Sequence, residues 1–451
     1  MMDTTGYAPE EPIAAIATTL APAALGIVRT SGTGCIALIA PLFSRPDALR
    51  SARGHSLLHG WLVDDGARID EVVLAVYRAP RSFTGEDMVE ITCHGGVAVV
   101  NAIYHLLLAK GFRAAERGEF TFRAYLNGKT DLTKAEAVRE IIDAKTDGSR
   151  SRAAGRLAGQ LYQTIDGVKK RLVDTLAAIE VDIEYPEDEE TIRDTFHPAD
   201  LEAARATLAD LASSWQSEKI YQDGARVVLC GRTNAGKSSL FNALLKEDRA
   251  IVSDIAGTTR DWLESWVDFD GIPARLFDTA GLRHTEDRIE ARGVELTKDL
   301  TDDADLVLYV VDGREGMSDD DRAFIEQTTV PLLVVWNKGD LSDAAIPPDK
   351  MRVSAKTGAG LADLCTAVKH CLTAGRATTR AQSGLGSERQ KVAVQDALES
   401  VTHALALSKD YTLDAVVQDL EDALDALGTV TGDITPDDIL DSIFAHFCVG
   451  K

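Results

Sequence analysis

The residues best equipped for chemistry form the segment 225–240, in which an apolar run precedes the pattern G-x-x-x-x-G-K-S. This pattern between a strand and a helix is typical of a phosphate-binding loop, because its backbone N–H groups can surround a phosphate. Lys237 can reach the β- and γ-phosphates, and the hydroxyl of Ser238 can bind Mg²⁺. A glycine-containing turn before a helix is the alternative. The predicted nucleotide contacts here are Asn234, Ala235, Gly236, Lys237, Ser238 and Ser239.

Three later motifs favour a guanine nucleotide. Asp278-Thr279-Ala280-Gly281 follows a strand-like run, so a carboxylate can hold Mg²⁺ through water and a glycine N–H can meet the γ-phosphate. Asn337-Lys338-Gly339-Asp340 follows another run, and the carboxylate of Asp340 can accept both the N1–H and the amine of guanine, which adenine cannot satisfy. Ser354-Ala355-Lys356 fits a loop that supports the base. Together these motifs predict a GTPase domain.

The groups that orient the attacking water are less obvious. Leu282 follows the glycine of the Asp-x-x-Gly motif, where many GTPases have a water-orienting glutamine. Because leucine cannot orient water, the nearby carboxylates of Glu286, Asp287 and Glu290 are candidates, with ordinary solvated charges as the alternative. A polar loop between two strand-like runs is the expected switch loop, with a threonine on Mg²⁺; it comprises Asp254, Ile255, Ala256, Gly257, Thr258, Thr259, Arg260 and Asp261.

Asn234 lies inside the phosphate loop, where its amide oxygen would be near the β- and γ-phosphates. An asparagine there can hold a monovalent cation against the charge that develops on the bridging oxygen. An arginine finger has this role in other GTPases.

The composition predicts a soluble globular protein. The 451 residues are 45% hydrophobic and 27% charged, enough for about two to four domains with sizeable cores. The apolar run 13–28 is interrupted by Pro22 and preceded by acidic residues, which argues against a signal peptide, and no run is long enough to cross a bilayer. The six cysteines show no metal-ligand spacing and indicate reduced thiols in a cytoplasmic protein.

A formal net charge of −24 would repel nucleic acid over most of the surface. Nucleic acid must therefore meet a local basic patch or the surface of a partner. The densest basic stretch runs from Arg113 to Lys145 and continues to Arg156. An ordinary solvated helix face is the alternative for this stretch.

The hydrophobic pattern separates the chain into three kinds of structure. Residues from about 12 to 126 alternate short apolar runs with helical ones, which predicts an α/β domain. Helical periodicity on both sides of the GTPase motifs predicts a discontinuous helical domain with the GTPase domain inserted. The predicted boundaries are 1–127 for the N-terminal domain, 128–222 and 379–451 for the helical domain, and 223–378 for the GTPase domain.

With these residues in view, the chain resembles the bacterial tRNA-modification GTPase family MnmE, also called TrmE, along almost its entire length. The tail at the C-terminus separates this family from other P-loop GTPases. The motifs outside the GTPase domain that carry the resemblance are Gly26-Ile27-Val28-Arg29-x-Ser31-Gly32, Ser82-Phe83-Thr84-Gly85-Glu86-Asp87, His94-Gly95-Gly96, Gly118-Glu119-Phe120-Thr121, Arg123-Ala124-Tyr125-Leu126-Asn127-Gly128-Lys129, and Phe447-Cys448-Val449-Gly450-Lys451.

The resemblance implies an α/β multidomain protein with an N-terminal α/β folate-binding and dimerisation domain, a discontinuous α-helical domain and an inserted Ras-like P-loop GTPase domain, whose mixed sheet has helices on both faces. It implies a K⁺-dependent GTP hydrolase that acts with an FAD-containing MnmG-like partner, in a heterotetramer. Together they would add an aminomethyl or carboxymethylaminomethyl group to C5 of the wobble uridine of certain tRNAs, using 5-formyl-tetrahydrofolate or a related one-carbon tetrahydrofolate. The rival interpretations are a regulatory or ribosome-assembly GTPase without modification chemistry, and a folate carrier.

The resemblance also implies roles for single residues. The catalytic candidates are Glu290, which would position water, with Asn234 and Lys237. The implied K⁺ ligands are Asn234, Ser253, Ile255 and Thr258, the Mg²⁺ ligands Ser238 and Thr259, and the folate contacts Arg29, Glu90, Lys129 and Lys451, with Cys448 as the tail cysteine. Arginine and lysine suit the carboxylates of a folate, and Glu90 suits the donor edge of its pterin. Residues 19–25 depart from the family pattern, so the resemblance does not predict the shape of the entrance to the folate site.

Overall fold

The computed structural model describes residues 11–184, 198–246, 251, 264–279, 300–341, 346–373, 384–410 and 413–451. The chain divides into two compact units, Met1–Arg139 with Asp425–Lys451, and Glu140–Leu424. Each unit contains one six-stranded sheet with helices. The predicted α/β multidomain class is confirmed, while the predicted domain boundaries stay a prediction. Within the described ranges, every helix is too short or too polar to span a bilayer.

The sheet of the first unit has the order β3-β4-β5-β2-β1-β6 and is antiparallel except for the pairing of β1 with β6. Buried and exposed residues alternate along β4, as expected when one sheet face packs against helices. The strands are β1 (Ile13–Ile16), β2 (Leu25–Ser31), β3 (Ser56–Asp64), β4 (Ala67–Tyr77), β5 (Met88–His94) and β6 (Arg113–Ala114).

Helices cover the buried face of this sheet. Helix α3 buries Val100, Ile103, Leu106 and Leu107, which recur at helical spacing and pack with strand residues in one core. The helices that begin in this unit are α1 (Cys35–Ile39), α2 (Pro46–Arg50), α3 (Val97–Ala109), α4 (Glu119–Leu126) and α5 (Leu132–Asp143). The alternating strands and helices predicted for residues 12–126 are therefore present.

The second unit has the strand order β12-β11-β10-β7-β9-β8, which is parallel except for the pairing of β8 with β9. Every residue of β10 is buried, as expected for a strand with helices on both faces. This is the mixed sheet predicted for the GTPase domain. Its strands are β7 (Ala225–Cys230), β8 (Glu264–Phe269), β9 (Ile272–Asp278), β10 (Leu306–Asp312), β11 (Leu332–Asn337) and β12 (Met351–Arg352).

The helical residues before and after this sheet pack together, since α8 contacts both α7 and α12. Helix α6 is capped by the hydroxyl of Thr146, which accepts from Ser149 N and donates to Gly271 O at 2.6 Å, so the helix starts at the β8–β9 turn. The helices of this unit are α6 (Asp147–Leu157), α7 (Gln160–Glu184), α8 (Pro198–Asp223), α9 (Lys237–Lys246), α10 (Asp319–Gln327), α11 (Leu361–Leu372) and α12 (Glu388–Asp410).

The C-terminal segment returns to the first unit. It contains the end of α13 (Leu413–Thr431) and all of α14 (Asp437–Phe444). Phe444 and Phe447 pack in a core with Leu132 of α5. Val449 pairs with Arg117 in an isolated β-bridge. The tail is therefore fixed beside the start of α4.

A buried ion-pair cluster joins α6 to α8. Glu218 binds Arg152 through one carboxylate oxygen and Arg156 through the other, at 3.0 Å. Arg156 also binds Glu140 at 2.6 Å and donates to Gly384 O at 3.2 Å, just before α12. Both arginines and Glu218 are buried, so the cost of removing each charge from water is offset only by its ion-pair partners. The cluster therefore fixes where α6, α8 and the returning chain meet.

Replacing Glu218 with glutamine should lower the free energy of unfolding by about 3 kcal/mol, because two buried arginines lose their shared carboxylate. Urea denaturation monitored by circular dichroism measures this change. Glu202→Gln is the matched control, since Glu202 lies on the same helix and pairs with Arg205 at the surface. Equal stability of E218Q and the control would contradict this role of the cluster.

Candidate functional site

The phosphate loop occupies residues 231–236, between the end of β7 and the start of α9. Gly231 and Gly236 have φ of 130° and 93°, in the left-handed region that favours glycine. A Cβ at Gly231 would strike the backbone of Val310, and one at Gly236 would strike the side-chain amide of Asn337. Both glycines are thus required by space as well as by conformation, and the predicted order of strand, glycine loop and helix is present.

The side chain of Lys237 folds back into this loop. It is buried, and its ammonium donates to Gly231 O and Arg232 O, both at 2.8 Å. Ser238 and Ser239 are exposed in the first turn of α9, where backbone N–H groups favour an anion. A cavity of about 1280 Å³ opens here, and its lining includes the loop, Thr279 and Lys338. The cavity is large enough for a nucleoside triphosphate.

Asn337 connects the Ser-Ala-Lys loop to the phosphate loop. Its buried side chain donates through Nδ2 to Ala235 O at 3.1 Å and accepts through Oδ1 from Ala355 N at 3.0 Å. The Asn-Lys-Gly-Asp motif, the phosphate loop and the Ser-Ala-Lys loop therefore share one polar side chain. This sharing holds three of the predicted motifs side by side.

Asp340 is exposed three residues after Asn337. One of its oxygens, Oδ1, accepts from the hydroxyl of Ser354 at 2.7 Å. This hydrogen bond holds the pKa of Asp340 below its usual value, so the carboxylate stays an acceptor at neutral pH. The arrangement suits recognition of two adjacent N–H donors, as on guanine.

Asp278 and Thr279 lie at the end of β9, next to the strand that leads into the phosphate loop. Both are buried, and Asp278 lies opposite Leu229 of β7. The hydroxyl of Thr279 donates to Leu229 O at 2.7 Å. The start of the Asp-x-x-Gly motif is thus fixed beside the loop, as expected for a residue that holds Mg²⁺ through water.

The remaining predicted residues of the GTPase site lie outside the described residues. These are Ser253, Asp254, Ile255, Ala256, Gly257, Thr258, Thr259, Ala280, Gly281 and Glu290. Asn234 is described: it is exposed in the phosphate loop with φ of 65°. In the part of the chain that the structure describes, its side-chain amide has no hydrogen-bond partner.

A second cluster of predicted residues lies in the first unit. Arg29 and Glu90 face each other on β2 and β5, with Arg29 Nη2 at 2.7 Å and Nε at 2.9 Å from Glu90 Oε1. Arg29 Nη1 donates to Gly450 O in the tail at 3.2 Å. Lys129 instead donates to Pro80 O at 3.0 Å. Arg29 thus joins Glu90 to the segment that ends in Lys451, whereas the ammonium of Lys129 contacts the loop before β5.

Comparisons with known proteins show the family of the chain. The family model "MnmE helical domain" matches residues 132–448, and "GTP-binding protein TrmE N-terminus" matches residues 12–129. The tRNA modification GTPase MnmE of Treponema denticola is 51% identical over 99% of both chains. That of Carboxydothermus hydrogenoformans is 39% identical over 98% of this chain and all of the relative. The chain belongs to the MnmE family of tRNA modification GTPases.

A solved structure of Aquifex aeolicus Era bound to GDP and AlF4⁻ is also similar to part of the chain. It is 25% identical, with a TM-score of 0.27, and the match covers 39% of this chain and 66% of that one. The match to the MnmE family spans almost the whole chain, with the first unit and the C-terminal tail included.

Sequence reasoning missed the aromatic surroundings of Arg29. Its guanidinium lies 5.4 Å from the ring centre of Phe83 and 5.5 Å from that of Phe120. Both rings belong to motifs that carry the resemblance to the MnmE family, but nothing local in those motifs indicates an arginine as their partner. Stacking of this kind orients a guanidinium and strengthens its charge interactions.

The same motifs also contain a buried ionic network. Arg123, only 1% exposed, binds Glu119 at 2.8 Å and Glu86 at 3.2 Å. The amide of Asn127 adds a bond to Thr84 O at 2.7 Å. These contacts tie the loop that carries Phe83 to helix α4. The role of Glu86 and Arg123 is therefore to hold the loop beside Arg29.

Proposed function

We propose that this chain is a K⁺-dependent GTP hydrolase that acts with an FAD-containing, MnmG-like partner. Together they add an aminomethyl or carboxymethylaminomethyl group to C5 of the wobble uridine of certain tRNAs, using a one-carbon tetrahydrofolate. Membership in the MnmE family makes the chain a GTPase of tRNA modification. The observation that carries the proposal is the pair of hydrogen bonds by which Asn337, in the same motif as Asp340, joins the phosphate loop to the Ser-Ala-Lys loop.

GTP would bind with its phosphates on the loop and its base at Asp340. The loop N–H groups and Lys237 would neutralise the phosphates, and Asp340 would accept both N–H groups on the guanine edge. To engage the phosphates, the ammonium of Lys237 must exchange its bonds to Gly231 O and Arg232 O for phosphate oxygens. Glu290 would orient the attacking water, which fits a loop that has leucine in place of glutamine.

The proposed metal ligands fit their ions by donor type. Amide, hydroxyl and backbone oxygens, as supplied by Asn234, Ser253, Ile255 and Thr258, suit a large monovalent cation. The hydroxyls of Ser238 and Thr259 suit Mg²⁺, a hard cation that prefers oxygen ligands. When bound, the two ions supply positive charge where negative charge develops on the phosphates. Support for the K⁺ site comes from Asn234, whose exposed amide is uncommitted among the described residues.

Replacing Asn234 with alanine should abolish the stimulation of GTP hydrolysis by K⁺ and leave GDP affinity within about threefold, because the amide would contact the cation and not the base. The measurement is steady-state hydrolysis in KCl and in NaCl at equal ionic strength. Thr233→Ala, an exposed neighbour in the same loop, is the control and should retain the stimulation. Undiminished K⁺ stimulation in N234A would overturn the cation assignment.

The proposed folate site combines the donor types that a folate requires. Arg29 and Lys451 provide positive charge for the glutamyl carboxylates, and Glu90 provides an acceptor for the pterin. Phe83, 40% exposed beside Arg29, offers a ring on which a planar heterocycle can stack. Because Arg29 also bonds Gly450 O, the C-terminal tail would form part of this site. A homodimer built through the N-terminal domain is part of the same proposal.

Arg29→Met should weaken binding of 5-formyl-tetrahydrofolate by about tenfold or more, since it removes a charged hydrogen-bond donor while keeping an apolar stem. Isothermal titration calorimetry measures the affinity, and unchanged GDP binding verifies that the second unit is intact. Arg50→Met is the control, because Arg50 pairs with Asp47 at the surface of the same unit. Equal folate affinity in R29M and R50M would rule out Arg29 as a folate contact.

The structure also bears on how the chain would contact tRNA. Three arginines of the basic stretch predicted from the sequence, Arg123, Arg152 and Arg156, are buried in ion pairs. Arg113 binds Glu119 and Glu11. This stretch therefore presents less positive charge than its composition indicates, and neither a basic patch nor a solvated helix face describes it fully. The finding supports a tRNA interface to which the partner contributes.

A further inference from the structure

A lysine and an aspartate meet where two parallel strands of the second unit end. Asp312 and Asn337 are the last residues of β10 and β11 and lie directly opposite each other. Lys338 follows with φ of 62°, a left-handed conformation that a lysine adopts only under constraint. Its ammonium donates to Asp312 Oδ2 at 2.6 Å. The contact therefore fixes the side chain that lies between Asn337 and the base-reading Asp340.

The surroundings of Asp312 stabilise its carboxylate form. Its side chain is only 6% exposed, and its second oxygen accepts from Arg314 N at 3.0 Å. Burial by itself would raise the pKa of Asp312, but the hydrogen bonds from Lys338 and Arg314 N outweigh it and the pKa is lowered. Gly313 N also donates to Asn337 O at 2.9 Å, so the chain that follows Asp312 is anchored to the motif. Lys338 thus has a fixed anionic partner.

We propose that Asp312 is a positioning residue for guanine selectivity, which holds the ammonium of Lys338 away from the carboxylate of Asp340. Lys338 and Asp340 are two residues apart, and a lysine side chain is long and flexible enough to pair with such a neighbour. An ammonium on Asp340 would compete for the oxygens that accept from guanine. The inference rests on the proposed guanine site.

The guanine selectivity can be measured by comparing the affinities for GDP and inosine diphosphate. GDP presents both N1–H and the exocyclic amine to Asp340, whereas inosine diphosphate presents only N1–H. Loss of the acceptor therefore costs GDP more than inosine diphosphate, because two hydrogen bonds are lost in place of one. A purely structural role of the ion pair would weaken both nucleotides by the same factor.

Asp312→Asn should weaken GDP binding by about tenfold and reduce the ratio of GDP to inosine diphosphate affinity severalfold. In the Lys338→Met background, the same substitution should leave that ratio unchanged, because the competing ammonium is gone. Asp321→Asn is the matched control: this buried aspartate binds Tyr309 and Ser318 and not Lys338, so its loss should not change the ratio. The affinities are measured by calorimetry on the full chain.

Three results separate the inference from the proposed function. Equal binding of GDP and ADP by the unaltered chain would overturn the guanine site itself. Selective GDP binding together with an unchanged ratio in D312N would overturn only the role of Asp312. If circular dichroism shows that D312N does not fold, the test is made with Lys338→Met alone. The inference expects this variant to bind GDP and inosine diphosphate more weakly by the same factor. A fall in the ratio of GDP to inosine diphosphate affinity would contradict the inference.

Discussion

The proposed nucleotide site depends on the hydrogen bonds of one side-chain amide, that of Asn337. This amide donates to Ala235 O in the phosphate loop and accepts from Ala355 N in the loop after β12. A parallel sheet brings the carboxyl ends of its strands to one edge, but it does not fix the distances between the loops that follow them. Asn337 fixes them, and Gly236 must lack a Cβ because that amide occupies the space. The phosphate and base sites are therefore one preformed unit.

The local parts of this site were readable from the sequence because each motif is a short pattern tied to a strand end. The glycine loop and the Asn-Lys-Gly-Asp motif follow from spacing and apolar runs, and the mixed sheet follows from the resemblance to the family. The pairing of Asp312 with Lys338 was not readable, because it depends on the register of two strands that are 25 residues apart in sequence. A pattern search finds residue types at fixed offsets in the sequence, whereas strand register brings together residues that have no fixed offset.

Charge was the least predictable property for the same reason. The basic stretch of the sequence indicated positive charge at the surface. Arg123, Arg152 and Arg156 are instead buried and pair with carboxylates that include those of the distant Glu86 and Glu218. The strand β3 was also missed, because His59 and Gly60 interrupt its apolar residues. The position of the tail beside Arg29 arises because the chain returns to the first unit after residue 424. Both ends of the chain thus contribute to the proposed folate site.

The central claim is that GTP hydrolysis by this chain serves wobble-uridine modification. The most direct test is mass spectrometry of tRNA nucleosides from a bacterial strain that lacks its own family member and expresses this chain with its FAD-containing partner. The account predicts that aminomethyl-type uridines return to the wobble position, while a strain with an empty vector retains unmodified C5. Absence of these nucleosides in cells whose purified chain hydrolyses GTP would contradict the account and favour a regulatory switch.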